Sequence, residues 1–89
     1  MISIQDLKQL FLSTDLFSPF RSHEDKLVIE VVDQNWVTIH LNRFPELDVG
    51  KLSPRALSEV QLNGVILSNF RVTSGCPDGI TIQYKWEPR

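Results

Sequence analysis

Between Leu27 and Leu41 the chain reads LVIEVVDQNWVTIHL, two apolar-rich runs broken by three polar residues. Alternation within each run predicts a β-hairpin. A three-residue loop, Asp33-Gln34-Asn35, sets Val31 against Val37, Ile29 against Ile39 and Leu27 against Leu41, so one face is wholly apolar. A two-residue loop would set Ile29 against His40 and Glu30 against Ile39, mixing polarity on both faces. A one-residue slip reassigns every cross-strand neighbour, so the side chains select the three-residue loop. Asn35 tolerates the left-handed conformation such a loop needs at its last position.

The second face of this hairpin is the unusual one. It carries Val28, Val32 and Trp36 beside Glu30, Thr38 and His40. An antiparallel sheet with one wet face normally alternates cleanly. That face is therefore expected to be covered by a helix of the same chain, a second copy or a protein partner.

Flanking segments supply the other elements. Ser3 can cap a helix over about residues 4–13, with Asp6 at its third position and Ile2 and Leu7 placed as a hydrophobic staple. Ile4, Leu7, Leu10 and Phe11 form its apolar stripe. Residues 14–25 read as a connector, since Pro19 disfavours helix at Ser18. Its Leu16, Phe17 and Phe20 are expected to plug an edge of the core. Ser53-Pro54, with Leu52 and Leu57 at staple positions, favours a short helix over about 54–61 that stops at Asn63-Gly64. The rival reading makes Asn63-Gly64 a tight hairpin turn between 59–62 and 65–68.

At the C-terminal end Ile80, Ile82, Tyr84 and Trp86 alternate with Thr81, Gln83 and Lys85. A five-residue loop from Ser74 to Asp78 would pair Val72 with Ile80 and Phe70 with Ile82. Gly75, Pro77 and Gly79 are suitable turn residues. The predicted fold is α+β, a single domain over residues 1–89. An N-terminal helix packs on a mostly antiparallel sheet of about four strands, with a short second helix between the two hairpins.

Composition narrows the classes without choosing among them. Of 89 residues, 42% are hydrophobic and 22% charged, which suits a small globular domain rather than a disordered chain. No apolar run is long enough for a membrane span and the first residues lack a signal peptide's basic start, so a cytoplasmic location is the expectation. Residues 1–48 hold eight acids against four bases, whereas residues 49–89 hold five bases against three acids. This mild dipole suits self-association and is too weak to suggest nucleic acid.

Candidate chemistry is thin. Cys76 is the only cysteine and has Asp78 close by in sequence, which opposes thiolate formation; it reads as an incidental turn thiol that could bridge two copies in air. His23, Glu24 and Asp25 are adjacent, so their side chains diverge where a metal needs convergence. Gly50-Lys51 fails as a phosphate loop, with Pro45 and Leu52 at positions that need glycine and Ser or Thr. His40 and Glu30 share a sheet face, but no nucleophile or second acid accompanies them. No cofactor or metal is expected. The leading expectation is a non-enzymatic protein-interaction domain, self-associating or docking a protein partner through Val28, Val32, Trp36 and His40. The alternative is a small-ligand or minor catalytic pocket around His40 and Glu30.

Overall fold

A computed structural model describes residues 3–31, 35–76 and 79–88. Helix α1 runs Ile4–Leu12, and strands β1 and β2 run Leu27–Val31 and Trp36–Asn42. Helix α2 follows at Pro54–Ser58, then β3 at Val65–Cys76 and β4 at Gly79–Pro88. The strands form one antiparallel sheet in the order β1-β2-β4-β3. This is the expected α+β arrangement, with the short helix between β2 and β3.

Local chemistry sets the helix starts. The Ser3 hydroxyl accepts from the Asp6 N–H at 3.1 Å, and the Ser53 hydroxyl accepts from the Ala56 N–H at 3.2 Å with Pro54 at the first helical position. The buried stripe of α1 is Leu7, Phe11 and Leu12, with Leu10 half-buried, while Ile4 stands 48% exposed. The stripe thus sits one residue further along than expected at its end. Ile2, the other half of the proposed staple, lies outside the described residues.

The first hairpin has the expected register: Val31 pairs with Val37, Ile29 with Ile39 and Leu27 with Leu41. Asp33 and Gln34 of its loop lie outside the described residues. The connector differs from expectation, because Ser18–Ser22 and Glu24–Lys26 are 3-10 turns. Proline's fixed φ is compatible with the first turn of a helix, so Pro19 opens one rather than preventing it. As expected, Phe17 and Phe20 are fully buried in the core.

Both readings of the middle hold in part. Helix α2 ends at Ser58 rather than 61, and Leu62 then bridges Val65 across Asn63-Gly64. Gly64 has φ of 81°, a conformation that its lack of a Cβ allows.

The second hairpin departs from its expected register. Val72 pairs with Ile82 rather than Ile80, Gly75 pairs with Ile80, and Cys76 pairs with Gly79. The strands therefore run on through most of the expected five-residue loop. Two irregularities, between Ser68 and Arg71 and between Val72 and Ser74, absorb the extra residues, and Asn69 takes φ of 50° at the first. A bulge breaks the period-two count on which the expected pairing rested. Gly79 is required where β4 begins, since a Cβ there would collide with the Leu41 carbonyl oxygen.

All the buried hydrophobic residues form one cluster between the sheet and the helical layer. Phe11, Phe17, Phe20 and Phe44 make a chain of ring contacts through it, and Phe11 and Phe70 each touch Tyr84. The Tyr84 hydroxyl crosses to α2 and donates to the Leu57 carbonyl at 2.5 Å. Burial raises the Tyr84 pKa well above its ordinary value.

Candidate functional site

Alternation along the strands turns a second set of side chains away from the core. Three rows cross this outward face, following the pairing. Val28, His40 and Thr81 form the first; Glu30, Thr38, Gln83 and Arg71 the second; Trp36, Lys85 and Ser68 the third. The sequence places Val28, Trp36 and His40 together, and the structure brings them onto this one face. Val32, the fourth residue of that set, lies outside the described residues.

None of the described helical segments covers these rows. The buried residues of α1 and α2, with Phe17 and Phe20, belong to the single cluster on the core side. Coverage by α1 and residues 16–20, one of the outcomes a greasy second face allowed, is therefore excluded. Val28 is 38% exposed, Glu30, Arg71 and Lys85 are exposed, and Trp36, His40, Thr81 and Gln83 are half-buried.

The face is more polar than the hairpin alone suggests, because β4 and β3 complete it. Arg71 reaches across from β3 and lies over Trp36, its guanidinium carbon 4.7 Å from the ring centroid. A cation over an indole face is attracted by the ring quadrupole, and stacking covers part of the ring. The Gln83 amide donates to the Thr38 hydroxyl at 3.1 Å, and Thr38 is only 6% exposed despite lying on the open side. Arg71 and Lys85 make no ion pair with any described residue, whereas Glu30 lies 3.4 Å from His40.

His40 occupies the middle of a line across three strands. Its Nε2 faces the Glu30 carboxylate at 3.4 Å and its Nδ1 faces the Thr81 hydroxyl at 3.1 Å. Acid, imidazole and hydroxyl in that order form the relay that activates a hydroxyl nucleophile. Acyl transfer also needs N–H donors aimed at a developing oxyanion. Both central strands, β2 and β4, are paired on each side along this stretch, so their backbone N–H groups are committed to the ladders. Two hollows lie elsewhere among the described residues. A hollow of about 310 Å³ is lined by Gln9, Leu12, Ser13, Arg21 and Glu24, where Arg21 donates to the Leu12 and Ser13 carbonyls. A smaller apolar one, of about 100 Å³, lies around Leu41, Leu47 and Leu52.

The remaining candidates separate. His23 stacks on Phe44 with ring centroids 4.2 Å apart and lies 3.4 Å from Glu46, so its ring packs against the core edge. Among the described residues no three His, Cys, Asp or Glu side chains are grouped to hold a metal. Cys76 ends β3 rather than lying in a loop, and Asp78 lies outside the described residues. Among the described residues no helix is long and apolar enough to cross a membrane.

Arg71, Thr81, Gln83 and Lys85 were missing from the sequence-derived site. The polar alternation of β4 was visible, but joining it to Trp36 requires knowing that β4 lies beside β2. Comparison with protein-family models, with curated proteins and with solved structures finds no match for this chain.

Proposed function

We propose that this chain is a non-enzymatic interaction domain that docks protein through its outward sheet face, with Trp36 as the anchor. The observation that supports the reading is that the described helices pack on the opposite face, with the buried hydrophobic cluster, while Val28 and Arg71 stand exposed on this one. Tryptophan and arginine are the residue types that most often dominate interface energy, and here one is stacked on the other on the outward face. Stacking holds the guanidinium in place, so docking loses less side-chain entropy than a free arginine would. Val28 supplies apolar area at one side, and His40 lies beside it in the same row.

Photo-crosslinking in the producing cell tests this. A photoreactive residue at position 28 should give a protein adduct, of this chain or another, that Trp36→Ala removes. The same residue at position 49, exposed outside the sheet, is the control. Equal adducts from both positions, or none from position 28, would overturn the reading.

A further inference from the structure

We infer that Thr81 is an acylation site, whose hydroxyl takes an acyl group from an activated ester with His40 as general base and Glu30 positioning the imidazole. This does not depend on the docking role of the outward face. Glu30 Oε2 lies 3.4 Å from His40 Nε2, and Thr81 Oγ1 lies 3.1 Å from His40 Nδ1. His40 and Thr81 are both half-buried, so a small reagent reaches them from solvent.

The direction of these contacts follows from what each group can do. An ionised carboxylate only accepts hydrogen bonds, so Glu30 keeps the proton of the neutral imidazole on Nε2. Nδ1 is left with a lone pair, and the Thr81 hydroxyl is then the donor across the 3.1 Å contact. General-base activation of a hydroxyl requires that direction. Other hydroxyls of the chain are placed differently. Ser13, Thr14, Ser58 and Thr73 give their hydrogens to the main-chain carbonyls of Leu10, Phe11, Arg55 and Thr81. An amide carbonyl does not take such a proton over, whereas an imidazole does.

The step needs the acyl donor and nothing further. Thr81 Oγ1 attacks the carbonyl carbon of the ester, and the hydroxyl proton passes to His40 Nδ1. The bond from that carbon to the leaving oxygen breaks, and the leaving group takes the proton from Nδ1 directly or through water. Thr81 keeps the acyl group as a new ester. The oxyanion formed on the way has no N–H donors aimed at it from β2 or β4, whose ladders are filled along this stretch. Water must solvate it, so only esters with a good leaving group react. General-base assistance contributes about 10²–10⁴-fold, which places Thr81 above an ordinary hydroxyl and far below an enzyme.

Acetylation by p-nitrophenyl acetate at neutral pH, mapped by peptide mass spectrometry, tests the assignment. Thr81 should acquire the acetyl group about a hundredfold faster than Ser13, Thr14, Ser58 or Thr73 in the same sample. The rate should fall in deuterated water, because a proton moves in the step. Lysine side chains react as well, and mapping separates their adducts. His40→Gln should bring Thr81 down to the level of the other hydroxyls, since an amide takes no proton. Glu30→Gln should slow the reaction about tenfold or more, as the acceptor that fixes the tautomer is lost. Thr81→Val should lose this adduct alone, and urea should abolish the preference for Thr81 in the native chain. Far-ultraviolet circular dichroism verifies that each variant is folded. Equal labelling of Thr81 and the reference hydroxyls, an undiminished rate in His40→Gln, or an acetyl group lodged on His40 in place of Thr81 would overturn the inference.

Discussion

The two faces of one sheet are built on opposite terms. On the core side Ile29, Ile39, Ile82 and Tyr84 meet α1, α2 and a run of phenylalanines, with one polar hydroxyl that reaches an acceptor. On the outward side residues of the same strands meet one another: Arg71 on Trp36, Gln83 on Thr38, and His40 between Glu30 and Thr81. The core side holds the fold by excluding water. The outward side spends little apolar area on stability, and the proposed docking role rests on it.

Substitutions should therefore separate along this division, and the largest loss should come from the core. Phe17→Ala removes a fully buried ring that touches both Phe11 and Phe20. The expected cost is about 3–5 kcal/mol, a large share of the total stability of a domain this size. Urea unfolding followed by circular dichroism would measure it. A loss below about 1 kcal/mol would mean that the helical layer holds the sheet less firmly than its burial implies.

Tyr84→Phe comes next. It leaves the Leu57 carbonyl without its donor and should cost about 1–3 kcal/mol. Tyr84 also gives the core side a pH signature. Its folded-state pKa is raised by burial, so the folded chain retains a proton that the unfolded chain releases at alkaline pH. Stability from this group is fully present below the unfolded tyrosine value, near ~10, and falls as pH rises beyond it. In the Phe variant this alkaline slope should be flatter in urea titrations between neutral and strongly alkaline buffer; an unchanged slope would assign it elsewhere.

How much of this was legible in the sequence depended on whether a local signal existed. The register of the first hairpin could be read because its side chains are consistent only one way round, and the helix starts could be read because Ser3 and Ser53 carry their own capping chemistry. The second hairpin was misread because its bulges, at Asn69 and beyond Val72, leave no mark on a count of alternating residues. The outward face was half legible. Val28, Trp36 and His40 followed from one hairpin, but Arg71 and Lys85 depend on β4 inserting beside β2, a choice made by packing between distant segments.

Trp36→Ala probes the boundary between the faces. The ring is half-buried and loses its stack with Arg71, so a cost of about 1–2 kcal/mol is expected, below that of the core phenylalanine. Docking should be lost outright. Thermal unfolding together with the position-28 crosslink would separate the two effects. A stability loss matching that of Phe17→Ala would make Trp36 a core residue and erase the distinction between the faces.

The smallest effect should come from the line through His40. Thr81→Val keeps the branched shape that suits a strand and deletes only the hydroxyl facing Nδ1. His40→Ala removes both contacts of the imidazole at once. Glu30 is exposed and His40 half-buried, so water replaces much of what either change removes, and Thr81→Val should move stability by no more than about 0.5 kcal/mol. Combining the two in a double-mutant cycle isolates the His40–Thr81 term, expected at about 0.2–1 kcal/mol for a cross-strand pair on a wet face. A coupling above about 2 kcal/mol would show that this line braces the sheet from outside. The outward face would then share the work of holding the fold, and its polar residues could no longer be assigned to docking alone.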